Sequence, residues 1–347
     1  MWIIIIYKLV LVKLKNKFME ENIMKNNKAK KSTGIIVGII LLLLALIMAF
    51  FVVTSLIFQA SAATVDDTAP IGTVINSSGK TIENGGYTNK PIKYSATDES
   101  GINYYQVKTP KDSSWNSYAE GTALSATVGW YTFRSVDNAG NISDLYRVYY
   151  DSINPSAMLY ADTELVSSGV YTNADSIMYL AMDSHSGVKS CYVKKPGSGS
   201  YVDYTSGSQL TGEGTYYFYC SDNAGNTSST VSITLDRTAP ETTLYGGTTS
   251  RASGTYTNAD YVKFEASDTN SGVDKLYVRM PNTSYYTEYS SGTQLATEGT
   301  YYFYAVDKAG NSSSAMKIML DNTKPTGVIY GGLATIVSGG ATNANNR

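Results

Sequence analysis

Hydrophobic patterning is strongest near the N-terminus, where an uncharged run of 25 residues extends from Gly34 to Phe58. A lysine-rich segment precedes it at residues 25–31, and Ala-Ser-Ala-Ala follows it at residues 60–63. At roughly 1.5 Å per residue, such a helix can span a bilayer core of about 30 Å. A basic segment, an apolar segment and small residues in this order predict a secretory signal cleaved after Ala62. An uncleaved membrane anchor is the alternative.

We interpret residues 1–33 as a cytoplasmic n-region and residues 34–63 as the apolar segment of the signal peptide or transmembrane anchor. Residues 1–23 make the n-region unusually long, and Met24 followed by lysine-rich sequence is a more ordinary start, so this stretch is a candidate mis-annotated extension. Signal and anchor both place the remaining chain outside the membrane. The expected location is therefore extracellular or at the cell surface, with membrane contact through the N-terminal segment.

Beyond the apolar segment, hydrophobic and polar residues alternate with a period of two, which predicts β-strands. In the segment GTYYFYAVD, residues 299–307, Tyr301 and Phe303 share one face while Tyr302 and Tyr304 share the other. We assign the first pair to the core. Short strands separated by Gly, Asn, Ser and Asp clusters about every 8 to 12 residues favour a two-sheet Greek-key sandwich.

The strand pattern recurs with an interval of 85 residues. One landmark is an aspartate four residues before a proline, at residues 66, 151, 236 and 321. The other is Asp-x-Ala-Gly-Asn, beginning at residues 137, 222 and 307. We interpret three complete repeats, 67–151, 152–236 and 237–321, and the truncated start of a fourth at 322–347. The fourth lacks the strands that would cover its apolar face, so we expect the natural chain to be longer.

A strand ending in VDKAGN, a further strand, and LDNTKP opening the next repeat resemble the bacterial immunoglobulin-like domains of surface adhesins and cell-wall-associated proteins. The resemblance covers residues 66–347. It implies an all-β fold of tandem immunoglobulin-like β-sandwich domains in a row, preceded by an N-terminal hydrophobic helix. It also implies rod-like stalks, ligand-binding tips and, in some members, calcium between domains. The motifs specify the domain class rather than one activity, because such modules also serve as spacers in secreted enzymes.

Charge restricts the possible partners. The formal net charge is -2, but residues 1–63 hold 8 Lys and 2 acidic residues, which leaves 19 basic against 27 acidic residues in the remainder. The repeat region therefore has no basic footprint for nucleic acid. We expect no nucleic-acid partner and no small-molecule substrate, and a protein or glycan of a host or cell surface as the possible partner.

Candidate catalytic residues are scarce. His185 is the single histidine and lies in the turn DSHSG, whose counterparts read DESG and DTNSG. A Ser-His-Asp triad would have to be built around this residue. The chain contains no Gly-rich phosphate loop, H-E-x-x-H or Cys-x-x-Cys motif. We therefore expect a solvated loop histidine and no enzymatic activity.

Aspartates that recur at turns are candidate metal ligands. In an immunoglobulin-like sandwich, the loop after the second strand, the loop between the last two strands and the incoming linker lie at one pole, so their oxygens should converge. The first junction brings Asp151, Asp183, Asp222 and Asn226, and the second brings Asp236, Asp268, Asp307 and Asn311. Ca²⁺ needs six to eight oxygens and would stiffen the linker. The alternative is that each side chain caps its own turn without metal.

The two cysteines, Cys191 and Cys220, fall on predicted inward positions of different strands in the second repeat. An extracellular disulfide between them would close a loop of about 30 residues and stabilise the domain by roughly 3 to 4 kcal/mol. Two buried thiols packing as small hydrophobes are the alternative, because the other repeats fold without cysteine.

Thirty tyrosines need an explanation. Outward pairs such as Tyr217 with Tyr219 could form a sugar-binding or protein-binding face, and the alternative is ordinary cross-strand pairing. Trp115 and Trp130 make the first repeat the better candidate binder. We expect a non-catalytic stalk or adhesin module of a bacterial surface protein. A carbohydrate-binding module, or the spacer of a secreted hydrolase whose catalytic domain is missing from this chain, are the alternatives.

Overall fold

A computed structural model of the chain describes residues 8, 12–17, 30–61, 65–331 and 334–336. The chain divides into two compact units, Met1–Asp67 and Thr68–Arg347. The first unit is characterised by one long helix and the second by strands, and each is described by itself.

Helix α1, Lys30–Ser61, has 32 residues. Its segment Val37–Ser55 has a mean hydropathy of 3.1 and is long and apolar enough to cross a membrane, a property that signal sequences share. Thr54 Oγ1 donates to Phe50 O at 2.8 Å, so this hydroxyl is satisfied within the helix. The predicted N-terminal hydrophobic helix is confirmed. The predicted cleavage position after Ala62 lies outside the described residues.

The three repeats of the second unit share seven strands in the same order, and repeats 2 and 3 add short strands to them. Repeat 1 has β1 (Ile71–Asn76), β2 (Gly86–Thr88), β3 (Ile92–Thr97), β4 (Ile102–Lys108), β5 (Asn116–Tyr118), β6 (Gly129–Asp137) and β7 (Tyr146–Tyr150). Repeat 2 has β8 (Ser156–Ala161), β9 (Glu164–Val166), β10 (Val170–Thr172), β11 (Ile177–Met182), β12 (Val188–Lys194), β13 (Val202–Tyr204), β14 (Gln209–Leu210), β15 (Gly214–Asp222) and β16 (Val231–Leu235). Repeat 3 has β17 (Glu241–Gly246), β18 (Thr249–Arg251), β19 (Thr255–Thr257), β20 (Val262–Ser267), β21 (Val273–Arg279), β22 (Thr287–Tyr289), β23 (Gly299–Asp307) and β24 (Met316–Leu320). A hairpin of β25 (Ile329–Gly331) and β26 (Ala334–Ile336) follows.

Each repeat arranges its strands in two sheets. The larger sheets have the orders β2-β7-β6-β4-β5, β10-β16-β15-β12-β13 and β19-β24-β23-β21-β22. The three-residue strands β2, β10 and β19 pair parallel with the last strand of their repeat. The smaller sheets have the orders β1-β3, β14-β11-β8-β9 and β18-β17-β20. This arrangement confirms the predicted all-β class of tandem immunoglobulin-like sandwiches.

The core of each repeat lies between its two sheets. In repeat 3, Phe264 of the smaller sheet stacks on Phe303 of the larger sheet, with ring centroids 5.0 Å apart. The equivalent stacked pairs, also at 5.0 Å, are Tyr94 with Phe133 and Tyr179 with Phe218. Each of the three apolar clusters draws its residues from one repeat. The predicted inward face of the central strand is confirmed, because Tyr301 and Phe303 are fully buried.

Buried tyrosine hydroxyls are satisfied by the backbone. Tyr301 Oη donates to Thr297 O at 2.6 Å. Tyr289 Oη donates to Thr293 O and accepts the Phe264 N–H at 3.0 Å. The equivalent tyrosines of repeats 1 and 2 form the same bonds. Tyrosine is tolerated inside the core because its polar end has a partner there.

A glycine begins the central strand of every repeat. Gly299 has φ +130°, and a Cβ at this position would lie 2.6 Å from Pro281 Cβ. Gly129 and Gly214 have the same relation to a proline, at 2.8 and 2.6 Å. The proline therefore packs directly on the glycine backbone. The glycine itself has a positive φ that residues with a Cβ rarely adopt.

Gly299→Ala should destabilise repeat 3 by about 2 to 5 kcal/mol, because backbone strain of about 1 to 2 kcal/mol adds to overpacking of about 1 to 3 kcal/mol. Hydrogen exchange of the repeat 3 amides measures this loss. Gly292→Ala is the control, since Gly292 has φ +76° but its nearest neighbour would be Glu265 Oε1 at 3.7 Å. Equal losses in both variants would contradict the packing role of Pro281.

Candidate functional site

Asp151 holds the linker between repeats 1 and 2. Its backbone N–H donates to Thr88 O at 3.0 Å. Its Oδ1 accepts the Ile153 N–H at 2.9 Å, and its Oδ2 accepts the Ser186 N–H of repeat 2 at 3.1 Å. Asp151 is 0% exposed. It therefore joins the end of repeat 1 to the loop between β11 and β12.

Two aspartates of repeat 2 lie beside Asp151. Asp183 Oδ1 accepts two backbone N–H groups of its own turn, at 3.1 and 2.6 Å. Asp222 Oδ1 accepts the N–H groups of Gly225 and Asn226, at 2.7 and 2.8 Å. One carboxylate oxygen from each of the three aspartates lies within 4.8 Å of the others. The convergence expected from the sequence is present at this junction.

Asn226 connects the linker to this group. Its Nδ2 donates to Asp151 O at 3.0 Å and to Asp222 Oδ2 at 2.7 Å. The sequence predicted Asn226 as an oxygen ligand, whereas the structure uses its amide nitrogen as a double hydrogen-bond donor. The side chain thus fixes the distance between the linker and the Asp222 loop.

The second junction repeats this geometry. Asp236 Oδ2 accepts the Ser271 N–H at 3.0 Å. Asn311 Nδ2 donates to Asp236 O and to Asp307 Oδ2, both at 2.8 Å. The carboxylate oxygens of Asp236, Asp268 and Asp307 lie within 4.8 Å of one another. All eight residues singled out in the sequence therefore assemble into two equivalent groups, which we call junction acid groups 1 and 2.

The junction acid groups contain no ion pair within the described part of the chain. The ion pairs of the described residues lie elsewhere and join Arg237 to Glu213, Lys263 to Glu265 and Lys275 to Glu288. Asp222 and Asp236 are 0% exposed. A carboxylate removed from water is costly unless it is paired or surrounded by donors. Here the donors are mainly backbone and amide N–H groups, joined by the Ser271 hydroxyl at Asp268.

The pKa of Asp236 shows how these donors act. Burial raises the pKa of its carboxyl, but hydrogen bonds from Ser271 and Thr238 lower it by more, so the net pKa is below the ordinary value. The carboxylate is therefore ionised at neutral pH. Junction acid group 2 carries concentrated negative charge.

Both groups keep oxygen atoms that could hold a cation. All of the hydrogen bonds found at Asp183 and Asp268 go to Oδ1, which leaves each Oδ2 without one among the described residues. Ser186, beside Asp151, is 5% exposed, and its Oγ is buried without a hydrogen-bond partner. Carboxylate and hydroxyl oxygens are ligands suited to a hard cation such as Ca²⁺.

The sequence did not predict a role for Ser186 and Ser271. Their backbone N–H groups donate across the junctions to Asp151 and Asp236. A signal was available, because a Ser-Gly pair follows the turn aspartate in every repeat, at residues 100–101, 186–187 and 271–272. The contribution is made by backbone atoms, so the side-chain type alone does not reveal it.

Cys191 and Cys220 lie directly opposite each other on β12 and β15, and both side chains are buried. Tyr179 Oη donates to Cys220 Sγ at 3.2 Å. Burial raises the pKa of Cys191 to about 11, so this thiol is protonated at neutral pH. The inward positions are confirmed, and the disulfide stays a prediction.

The hydroxyl–thiol pair of repeat 2 has counterparts that change together. In repeat 1, Tyr94 Oη lies 3.2 Å from Ser135 Oγ. In repeat 3, the equivalent positions hold Phe264 and Ala305, so both the hydroxyl and its partner are replaced by apolar groups. This correspondence assigns the Cys220 sulfur a role as a hydrogen-bond acceptor in the core.

In reduced protein, Tyr179→Phe should destabilise repeat 2 by about 0.5 to 1.5 kcal/mol, because Cys220 Sγ loses its donor. The double variant with Cys220→Ala reproduces the pair of repeat 3 and should lose less than the two single variants together. The alkylation rate of buried Cys191 in increasing denaturant measures the unfolding of repeat 2. Simple additivity would contradict the coupling.

The same alkylation, performed in denaturant without reductant and read by intact mass, checks the disulfide prediction. An oxidised pair takes up no label, whereas two labelled thiols would contradict the disulfide prediction.

Outward tyrosines pack on one another across the larger sheets. Tyr192 stacks on Tyr219 with ring centroids 4.9 Å apart, and Tyr277 stacks on Tyr304 at 4.8 Å. Lys194 Nζ lies 4.3 Å from the centre of the Tyr217 ring. These are cross-strand contacts of the kind that stabilise a sheet.

The tryptophans of repeat 1 pack in a related way. Trp130 contacts Tyr87 and Tyr149, with ring centroids at 5.9 and 5.2 Å. The Arg134 guanidinium lies 4.3 Å from the Trp115 ring. The outer face of the larger sheet is thus aromatic in all three repeats, with different residues in each.

His185 is exposed in its turn, and its Nδ1 lies 3.3 Å from Ser184 Oγ. This is the environment expected of a solvated loop residue. The geometry gives no reason to assign it a catalytic role.

No protein-family model and no curated protein sequence matches the chain. Among solved structures, the fibronectin(III)-like modules of Clostridium thermocellum CbhA match at 18% identity and a TM-score of 0.25, covering 47% of this chain and 92% of that chain. SGBP-B of the Bacteroides ovatus mixed-linkage glucan utilization locus, solved with a mixed-linkage heptasaccharide, matches at 11% identity and a TM-score of 0.17, covering 74% of this chain and 71% of that chain. Neither similarity is strong enough to carry an argument about function.

Proposed function

We propose that this chain is the extracellular, non-catalytic part of a bacterial surface protein, in which tandem immunoglobulin-like sandwiches act as a stalk or adhesin module. The observation that carries the proposal is the set of hydrogen bonds at each junction. Asn226 and Asn311 belong to the repeat that follows each linker. The Nδ2 of each donates both to a linker carbonyl and to an aspartate carboxylate of its own repeat. A chain of separate cores joined by ordered linkers is suited to holding its ends apart.

Export in this proposal depends on helix α1, which acts either as a cleaved signal or as an anchor. Both routes leave the repeats outside the cell. Partners would be proteins or glycans of a host or cell surface, reached by the far end of the stalk.

Asn311→Ala should loosen the second junction, because the linker loses its contact with the Asp307 loop. Hydrogen exchange at the Thr238 and Ser271 amides should accelerate by about fivefold or more, as expected from the loss of about 1 kcal/mol of hydrogen bonding. Gln294→Ala, at an exposed amide of the same repeat, is the matched control. Linker amides that exchange freely in the unmodified protein would contradict an ordered stalk.

We also propose that each junction acid group binds one Ca²⁺, which would stiffen the linker further. Three features support this proposal: the convergence of three carboxylates at both junctions, the Oδ2 atoms of Asp183 and Asp268, and, at the first junction, the buried Ser186 Oγ. Neither the Oδ2 atoms nor this Oγ has a hydrogen-bond partner among the described residues. The cation would offset the mutual repulsion of the carboxylates. It would also be coordinated by oxygen atoms that otherwise lack a hydrogen-bond partner.

Calcium at about 100 times its dissociation constant should stabilise a repeat by about 2.7 kcal/mol, because it binds the folded state alone. Calorimetric titration should count one site fewer in Asp183→Asn or Asp268→Asn than in the unmodified chain. Asp203→Asn, at an exposed acid of β13, should keep the count of the unmodified chain. A melting temperature unchanged between calcium and chelator would remove the metal from the proposal and leave the hydrogen-bonded junctions intact.

A further inference from the structure

A cleft of about 310 Å³ lies where repeats 2 and 3 meet. The turn at residues 194–198 forms one side, Thr215 and Tyr217 of β15 line it, and Thr269 and Asn270 of repeat 3 complete it. Small-molecule sites favour domain junctions, and cavities of about 300 to 1,000 Å³ are typical of them. The lining includes none of the carboxylates of junction acid group 2, and it contacts that group through the Asn270 N–H, which donates to Asp268 Oδ1 at 3.1 Å.

The side formed by the turn is rigid. The Ser198 N–H donates to Lys195 O at 3.0 Å across Pro196 and Gly197, and Gly197 has φ +71°, as a type II turn requires. Pro196 also packs against Gly214, where a Cβ would lie 2.6 Å away. This side of the cleft is therefore ordered before any ligand arrives, which reduces the entropic cost of binding.

Two lysines give the cleft positive charge. Lys194 and Lys195 both line it, and Lys194 Nζ lies 4.3 Å over the Tyr217 ring. Tyr217 is 36% exposed, so part of the ring stays available to a ligand. An anionic group paired with these ammonium groups would sit beside an aromatic surface.

Glu213, which lies outside junction acid group 2, is held by partners other than the lysines. Glu213 Oε1 accepts the Arg237 N–H at 2.9 Å, and Oε2 accepts the Thr238 hydroxyl at 2.8 Å. The Arg237 guanidinium lies 3.8 Å from Glu213 Oε1. Asn270 Nδ2 donates weakly to Glu213 Oε2 at 3.4 Å. In the described part of the chain, neither Lys194 nor Lys195 forms an ion pair, so both ammonium groups can pair with an anionic ligand.

Hydroxyl and amide groups surround the charged part of the cleft. Ser198, Thr215, Thr269 and Asn270 each offer a donor and an acceptor, which suits the hydroxyls of a sugar ring. Thr215 Oγ1 already lies 2.9 Å from Thr234 Oγ1 but keeps one further lone pair. Cations, hydroxyl partners and an aromatic ring together match a sugar that bears a carboxylate.

The size of one residue distinguishes this junction from the first. Trp130 occupies the register position of Thr215 in repeat 1, where it packs with Tyr87 and Tyr149. In repeat 3 the same position holds Thr300. A threonine in place of tryptophan leaves the volume that forms the cleft.

We propose that this cleft binds a carboxylate-bearing sugar unit of an acidic polysaccharide. The site goes beyond the stalk function, because it gives the module a ligand along its length. Asn270 lines the cleft and also donates to Asp268, so the test is performed in chelator, which keeps the junction cation out of the measurement.

The test titrates trigalacturonic acid into the detergent-solubilised full chain by calorimetry. Binding should be saturable, and Thr215→Trp should weaken it at least tenfold by filling the cleft with the side chain that repeat 1 already carries there. Thr300→Trp, the same change at the same register of repeat 3, should bind like the unmodified protein. Lys195→Gln should weaken binding several-fold.

Maltotriose and acetate separate the sources of affinity. Weak binding of both relative to trigalacturonic acid supports recognition of a charged sugar. Equal binding of maltotriose, or full competition by acetate at equal concentration, would overturn the proposal. So would normal binding by Thr215→Trp, provided that amide protection of repeat 2 shows the variant to be folded.

Discussion

Burial of a carboxylate at each exit from a sandwich constrains the whole repeat region. Asp151 and Asp236 are removed from water, and an ionised group in such a place needs donors on every side. Some of these donors belong to the following repeat, so the linker can fold only when that repeat is in place. The fixed interval of 85 residues has a physical reason here, because an insertion near the linker would carry the donors away from the charge.

Much of this organisation could be predicted from the sequence. The alternation along GTYYFYAVD gives the buried face of the central strand, and the spacing of Asp151, Asp183 and Asp222 predicts their convergence once a sandwich topology is assumed. The parallel strand β19 could not be predicted, because three residues carry too little periodicity. The cleft between repeats 2 and 3 could not be predicted from the sequence either. It depends on the difference between Thr215 and Trp130, and on the approach of a loop from another repeat.

Tyrosine has two physical roles in this protein. Tyr289 and Tyr301 lie in the core, where backbone carbonyls satisfy their hydroxyls, so a polar residue can contribute a large apolar ring to a small sandwich. Tyr192 and Tyr219 lie outside and stack across strands, where they stiffen the sheet. The high tyrosine content is therefore a consequence of small cores that need bulky side chains, together with outer faces that remain exposed to water.

Separate cores have a mechanical consequence. The apolar clusters share no residues, so tension along the chain can open one sandwich while its neighbours keep their packing. An opened repeat releases up to about 300 Å of extended backbone, at roughly 3.5 Å per residue. The array can therefore lengthen in discrete steps under load, because each sandwich that unfolds adds its own length of extended chain.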